Sequence, residues 1–251
     1  MMENVLSIRG LTKRFGGLAA VDEVDLDFPY GMLNAVIGPN GAGKTTLFNL
    51  ITGMLPVDSG EVVFEGGNIA RLKPHQIVAR GLSRTLQIKS VFTALTVSDN
   101  LRVAVMAHER IANPFRSALG FAGVNRRVEE LLAETGLARL AKRVAGTLSY
   151  GDVALLEIAL ALANKPKLLL LDEPICGMSP AETETTVNRI VALSKSTQII
   201  LIEHDMEVVF AIADRITVMA AGRVLARGTP KEIAANRDVQ DAYLGAPEEA
   251  A

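Results

Sequence analysis

The chain has 251 residues, of which 49% are apolar and 22% are charged, and its formal net charge at pH 7 is -2. These values are typical of a globular α/β protein with a large core, and the charge gives no indication of a polyanionic partner such as nucleic acid. The single cysteine, Cys176, excludes an intramolecular disulfide framework and favours a reducing compartment. Residues 1–10 do not resemble a signal peptide, and no apolar run reaches the ~18 residues of a spanning helix, so a membrane role would depend on a partner.

Two short strands are predicted near the start of the chain, over residues 5–9 and 21–28, with a loop over residues 11–17 between them. In the second strand apolar residues alternate with acidic residues, which is typical of a half-exposed strand. Because both strands precede the first strand-to-helix unit, we expect them to form an antiparallel β layer attached to the core. Phe15 lies on the predicted loop, where it is either a stacking platform for an adenine ring or a hydrophobic plug.

Residues 38–46 form a phosphate loop, with the sequence Gly-Pro-Asn-Gly-Ala-Gly-Lys-Thr-Thr. An apolar strand over residues 33–37 leads into this loop, and a helix over residues 44–54 follows it. The glycines allow backbone angles that turn several N–H groups toward one centre, and the helix N-terminus attracts an anion. The sequence therefore predicts that Lys44 reaches the β- and γ-phosphates of a nucleotide and that the Thr45 hydroxyl binds Mg²⁺.

Gln87 directly follows another predicted strand. Short strands are predicted over residues 61–65 and 82–86, on either side of a short helix over residues 74–80. At the end of a core strand the Gln87 side chain is placed to hold Mg²⁺ or an attacking water. Glutamines at such positions also serve only as local hydrogen-bond partners, so both interpretations stay open.

Residues 95–147 differ in character, because the strand pattern stops and helical spacing takes over. Helices are predicted over residues 97–111 and 125–135, and residues 117–123 predict a short helix or a loop. We therefore expect a helical lobe inserted between parts of an α/β core.

Ser149 is placed to cap a helix that runs to about residue 163. The amides of Tyr150, Gly151 and Asp152 would form a second exposed helix N-terminus, which is either a second phosphate site or an ordinary cap. From residue 153 to residue 162 only Glu157 is polar, so this helix is predicted to be buried or interfacial.

Two carboxylates follow a fully apolar strand over residues 168–171. Open α/β sheets bind their ligands at the carboxyl ends of such strands. Asp172 is therefore placed to hold Mg²⁺, and Glu173 to orient or deprotonate a water that attacks the γ-phosphate. Without a phosphate loop upstream, such a pair after a strand is often only a solvated loop. A further buried strand over residues 198–202 precedes His204, which is placed to contact the γ-phosphate, although a single histidine at a strand end is otherwise usually structural.

The remaining chain continues the α/β pattern. A helix is predicted over residues 179–193, strands over residues 215–219 and 223–227, and short helices from Pro230 and over residues 239–244.

This order of motifs resembles the nucleotide-binding subunit of an ABC transporter. The resemblance rests on the aromatic before the phosphate loop, the loop itself, the strand-end glutamine, the helical insertion, an LSGGQ-like segment at residues 148–152, the Asp-Glu pair and the strand-end histidine. Phe-Gly-Gly-Leu at 15–18, Gly-Met-Ser-Pro at 177–180 and Ala-Tyr-Leu-Gly at 242–245 resemble the branched-chain amino acid uptake subgroup. Lipopolysaccharide-export and urea-uptake ATPases share several of these features.

The resemblance implies a P-loop NTPase of ABC type, with a mixed parallel core sheet, an antiparallel β layer and a helical insertion lobe. The ATPase core would comprise residues 1–94 and 148–235, the helical subdomain residues 95–147, and a C-terminal helix and tail residues 236–251.

The resemblance also assigns roles to individual residues. Phe15 would stack on adenine with Val21 nearby, and Thr45, Gln87 and Asp172 would serve Mg²⁺. Glu173, His204 and Gln87 would be the catalytic group. The phosphates would contact Asn40, Gly41, Ala42, Gly43, Lys44, Thr45 and Thr46 of one subunit, and Ser149, Tyr150, Gly151 and Asp152 of the opposite subunit.

A subunit of this kind is implied to hydrolyse ATP and to power an importer, here for branched-chain or other hydrophobic amino acids. Its partners would be a second ATPase subunit, integral-membrane permeases and, indirectly, a substrate-binding protein, with no nucleic acid. It would lie peripherally on the cytoplasmic face of the plasma membrane. The alternatives are an ATPase for lipid, lipopolysaccharide or urea transport, or a slow nucleotide-dependent clamp or regulator.

Several positions depart from the family pattern. Val153, Ala154 and Leu160 are apolar where polar residues are common, and Ile175-Cys176 replaces small or hydroxyl residues. None of these changes removes a phosphate ligand, a Mg²⁺ ligand or the catalytic carboxylate. They bear on the cross-dimer contact and the turnover rate, and Cys176 is either a reactive thiol near the dimer seam or a small buried residue.

Overall fold

The computed structural model describes residues 3–85, 91–111 and 120–244. Gln87, part of the predicted segment 117–123, and the tail from residue 245 lie outside these described residues. In chain order the elements are β1 (Asn4–Phe15), β2 (Leu18–Pro29), β3 (Asn34–Ile37), α1 (Lys44–Ile51), β4 (Ser59–Phe64), β5 (Gly67–Asn68), α2 (Pro74–Ala79), β6 (Leu82–Arg84), α3 (Val97–His108), α4 (Ala122–Thr135), α5 (Tyr150–Leu162), β7 (Leu168–Asp172), α6 (Pro180–Leu193), β8 (Gln198–Ile202), α7 (Met206–Ile212), β9 (Arg215–Ala220), β10 (Arg223–Gly228), α8 (Pro230–Ala234) and α9 (Arg237–Leu244).

The chain divides into two compact units, which are described separately. The first unit comprises residues 1–80 and 198–251, and the second comprises residues 81–197. Among the described residues, no helix has both the length and the apolar character that crossing a membrane requires.

The first unit contains the predicted antiparallel β layer, with strand order β2-β1-β4-β5. The prediction of a loop over residues 11–17 is wrong, because β1 continues to Phe15 and pairs with Leu18 across a two-residue turn. Several register shifts between β1 and β2 interrupt the regular alternation, which is why the sequence pattern ended the strand too early.

A second sheet of the first unit places the phosphate loop. Strand β3 is fully buried and pairs in parallel with β8 on one side and β9 on the other, and β10 pairs antiparallel with β9. This arrangement confirms the predicted mixed sheet. The carboxyl end of β3 leads directly into the loop, and α1 begins at Lys44.

The second unit combines a parallel strand pair with the helical insertion. Strand β6 pairs with β7, with Leu82 opposite Leu168, and every residue of β7 is buried. Helix α5 packs against α3, α4 and α6. Eight of its residues are buried, as its almost entirely apolar sequence predicted, and this burial fixes the direction in which its first turn faces.

Candidate active site

The phosphate loop fits so closely against neighbouring backbone that two of its glycines admit no side chain. Gly43 has a φ of 98°, and a Cβ built on it would lie 2.3 Å from the carbonyl oxygen of Ala20. A Cβ on Gly38 would lie 2.2 Å from the carbonyl oxygen of Met219. Both contacts are far shorter than van der Waals distance, so glycine is required at each position to shape the anion-binding loop.

The side chain of Lys44 reaches back into the phosphate loop that precedes it. Its side chain is buried, and its Nζ donates to the carbonyl oxygens of Gly38 at 2.6 Å and Pro39 at 3.1 Å. The positive charge is therefore held at the centre of the loop, where phosphate oxygens are stronger acceptors than carbonyl groups. Thr45 and Asn40 are exposed at the same loop, so their side chains are accessible to a ligand.

Phe15 is 49% exposed at the end of β1, which argues against the hydrophobic-plug interpretation. The Nζ of Lys13 lies 5.7 Å from the centroid of the ring and forms an ion pair with Asp58 at 2.7 Å. The ring therefore has a supported position and an accessible surface. Val21 is fully buried, which gives it a supporting position in the core rather than an exposed surface for adenine.

In the second unit, Asp172 forms a buried ion pair that the sequence did not predict. Arg84 Nη2 donates to Asp172 Oδ2 at 2.5 Å, and the side chains are only 7% and 0% exposed. The Asp172 N–H also donates to the Thr85 hydroxyl. One carboxylate oxygen is therefore fixed, and the orientation of the whole group with it.

The other oxygen of Asp172, Oδ1, is buried and has no hydrogen-bond partner among the described residues. An unpartnered buried carboxylate oxygen fits a role in holding a hard cation, directly or through water. Within the described ranges no cluster of three or more acidic, histidine or cysteine side chains forms a metal cage.

Glu173 has a backbone conformation that is rare for a residue with a side chain. Its φ is 48°, and its carbonyl oxygen accepts a hydrogen bond from the N–H of Cys176 at 3.3 Å. Left-handed conformations of this kind cost a non-glycine residue about 1–2 kcal/mol and concentrate at functional sites. The chain therefore leaves the extended conformation of β7 at Glu173, directly after Asp172.

A cavity of about 370 Å³ lies beside the two carboxylates, and it is lined in part by Tyr150, Val153, Ala154, Asp172, Glu173 and Cys176. Two of the apolar departures from the family pattern therefore line the same cavity as the predicted metal ligand and general base. Cys176 is exposed, so the interpretation of this residue as a small buried one is wrong.

His204 follows β8 in the first unit and is largely exposed. The preceding residue, Glu203, is buried, and its Oε2 lies 3.8 Å from His204 Nδ1 and accepts the His204 N–H at 3.2 Å. This carboxylate therefore holds the backbone of His204 and lies near its imidazole ring. The contact between Glu203 and His204 could have been predicted from the sequence, because the two residues are adjacent.

The LSGGQ-like segment begins α5. The Ser149 hydroxyl accepts the N–H of Asp152 at 3.3 Å, which confirms the cap predicted from the sequence. Tyr150 is 60% exposed, whereas the neighbouring Gly151 is buried. The Gly151 N–H donates to the Glu182 carboxylate at 3.3 Å, a contact that the sequence did not indicate.

Comparisons with known proteins give one consistent family. A family model described as "ABC transporter" matches residues 21–176, and one described as "Branched-chain amino acid ATP-binding cassette transporter" matches residues 223–249. The chain is 40% identical over 255 residues to the high-affinity branched-chain amino acid transport ATP-binding protein BraF of Pseudomonas aeruginosa. That similarity covers 98% of this chain and 99% of BraF.

Solved structures agree with the sequence comparison. A nucleotide-free ATP-binding cassette from an ABC transporter matches with a TM-score of 0.86 and 29% identity, covering 97% of this chain and 100% of that one. The ADP conformation of MJ1267, an ATP-binding cassette of an ABC transporter, matches with a TM-score of 0.84 and 31% identity over 97% of this chain and 100% of that one. The chain therefore belongs to the ABC transporter family, within its branched-chain amino acid group, as an ATP-binding cassette that hydrolyses ATP.

Proposed function

We propose that this ATPase powers an importer of branched-chain amino acids, from a peripheral position on the cytoplasmic face of the plasma membrane. The observation that carries this proposal is the 40% identity to BraF, whose name describes high-affinity branched-chain amino acid transport, over almost the whole of both chains. The family match at residues 223–249 supports the same substrate class independently.

Within the subunit, the side chains divide into those that hold ATP and those that act on it. Phe15 would stack on the adenine ring, and the amides of residues 40–46 with Lys44 would hold the phosphates. Mg²⁺, when bound to Thr45, Asp172 and Gln87, would neutralise charge that develops on the transferred phosphoryl group. Glu173 would orient and deprotonate the attacking water, and His204 would contact the γ-phosphate.

Two copies, or this chain with a related cassette, would form the working unit. The helix start at Ser149–Asp152 would complete the phosphate site of the opposite subunit, because a helix N-terminus attracts anions. Closure on ATP and separation after hydrolysis would then move the permeases to which the pair is attached.

The transport proposal is tested by uptake in the source cells. Deleting the gene is expected to abolish high-affinity uptake of leucine, isoleucine and valine, and a wild-type copy to restore it. A copy carrying Lys44→Ala would serve as the matched inactive control. Normal branched-chain uptake together with impaired urea uptake or lipopolysaccharide export would contradict the substrate assignment.

A slow clamp is the second candidate function, because Val153 and Ala154 line the cavity beside Asp172 and Glu173. An apolar wall at this position would lower the polarity around the attacking water. Affinity purification from mildly solubilised membranes separates the two functions. An importer is expected to retain two integral-membrane permeases, whereas recovery of the ATPase without any permease would favour the clamp.

A further inference from the structure

A carboxylate already lies on the helix start proposed to bind the γ-phosphate of the partner subunit's ATP. Glu182, in the first turn of α6, accepts the Ser179 N–H at 3.0 Å and the Ser179 hydroxyl at 2.7 Å through Oε2. Its other oxygen, Oε1, accepts the Gly151 N–H at 3.3 Å. The same side chain therefore caps α6 and lies on the N-terminus of α5.

The contact is close along the whole glutamate side chain. A Cβ built on Gly151 would lie 3.1 Å from Glu182 Cβ and 3.3 Å from its Cγ. Gly151 thus leaves space that Glu182 fills. An anion that approached the Gly151 amide would meet this carboxylate first.

Glu182 carries a negative charge at any working pH. Hydrogen bonds from the Ser179 hydroxyl and backbone, together with those from Ser149 and Gly151, lower its pKa from 4.5 to about 2. A phosphate group is also an anion, and one N–H group cannot serve both at full strength. Binding of a phosphate would therefore require the carboxylate to move.

The structure provides a place for the displaced carboxylate. A cavity of about 240 Å³ lies beside this contact and is lined by residues that include Gly151, Glu182 and Thr186. Thr186 is fully buried, and within the described ranges its hydroxyl has no hydrogen-bond partner. Residues four apart on a helix are neighbours on one face, so the Thr186 hydroxyl is placed to donate a hydrogen bond to the displaced Glu182 carboxylate.

We propose that Glu182 is an internal anion that occupies the phosphate-binding amide of α5 until the γ-phosphate on a second subunit displaces it toward Thr186. This inference rests on the proposed function, because it requires the helix start to act across a dimer. Glu182 would then set the ATP concentration at which the two subunits close. It acts through Gly151 and is a positioning residue rather than a catalytic one.

The test measures ATP-dependent dimer formation by light scattering coupled to size exclusion. The parent protein carries Glu173→Gln, because slow hydrolysis lets the ATP-bound dimer accumulate. Adding Glu182→Gln removes the charge and keeps an oxygen that can cap α6. We expect the half-maximal ATP concentration for dimer formation to fall about tenfold, since a charged acceptor holds the amide more strongly than a neutral one.

Glu184→Gln in the same parent is the matched control, because Glu184 is an exposed carboxylate on the same helix. It is expected to leave the half-maximal concentration unchanged. Thr186→Val keeps the side-chain shape and removes the hydroxyl that would receive the displaced carboxylate. This variant is expected to raise the half-maximal ATP concentration about threefold. A thermal melt of each variant confirms that α6 remains folded.

The outcomes distinguish this inference from the proposed function. If the parent dimerises with ATP but Glu182→Gln leaves the half-maximal concentration unchanged or raises it, Glu182 is only a helix cap. An equal fall with Glu184→Gln would also overturn the inference, because it would show general charge repulsion. If the parent forms no ATP-dependent dimer, the proposed dimer mechanism itself is wrong.

Discussion

Replacing Arg84 with methionine would remove one partner of the buried ion pair with Asp172. The nitrogen and oxygen lie 2.5 Å apart, and both side chains are almost completely excluded from solvent. Removing one partner of such a pair typically costs about 3–5 kcal/mol, because the other charge stays buried without compensation. For a chain of this size each kcal/mol lowers the melting temperature by about 2–4 °C, so a decrease of about 6–20 °C is expected.

The assay is urea unfolding followed by circular dichroism, with melting temperature as a second measurement. Arg126→Met is the matched control, since Arg126 is an exposed arginine of the same unit, and its cost is expected to stay within about 0.5 kcal/mol. Combining Arg84→Met with Asp172→Asn is expected to recover most of the loss, because no buried charge remains. If Arg84→Met cost no more unfolding free energy than Arg126→Met, the buried charge of Asp172 would not depend on Arg84 for compensation.

The remaining predictions concern the phosphate loop, the adenine platform and the capping carboxylate. Gly43→Ala is expected to abolish binding of a fluorescent ATP analogue, because its Cβ would lie 2.3 Å from a carbonyl oxygen, whereas Gly123→Ala, with open space around it, should bind normally. Phe15→Ala is expected to raise the Kd for that analogue about 5- to 100-fold through loss of stacking. Leu18→Ala, which truncates an exposed apolar residue on the same turn, should change the Kd little, and equal effects of the two substitutions would contradict the role of Phe15 as a stacking platform. Because the pKa of Glu182 is lowered from 4.5 to about 2, its stabilising contribution is complete above pH 4.5 and is lost as the pH falls toward 2. The difference in unfolding free energy between wild type and Glu182→Gln should therefore narrow as the pH falls from 4.5 toward 2. A constant difference over this range would show that the Glu182 carboxylate does not have a lowered pKa.

The sequence predicted those features whose cause is local. The phosphate loop is a continuous pattern in which glycine spacing, a preceding apolar strand and a following helix indicate the same site, and the structure has β3, the loop and α1 in that order. The apolar run before Asp172 likewise predicted a buried strand, and β7 is buried throughout.

The features that escaped prediction depend on contacts between distant parts of the chain. Arg84 and Asp172 are 88 residues apart, and Gly151 and Glu182 are 31 apart, so no local pattern joins either pair. The end of β1 at Phe15 was missed for a different reason, because bulges break the alternation that marks a strand. Sequence patterns thus indicated the groups proposed to bind ATP, whereas the side chains that contact these groups from distant parts of the chain became evident only in the folded structure.

We propose that Glu173 is the general base with which this chain hydrolyses ATP. The most direct test compares steady-state ATP hydrolysis by the wild type, Glu173→Gln and the exposed-carboxylate control Glu184→Gln. We expect Glu173→Gln to lower kcat by about 100-fold or more with little change in KM for ATP, and Glu184→Gln to match the wild type. Hydrolysis by Glu173→Gln at the wild-type rate would contradict the catalytic assignment.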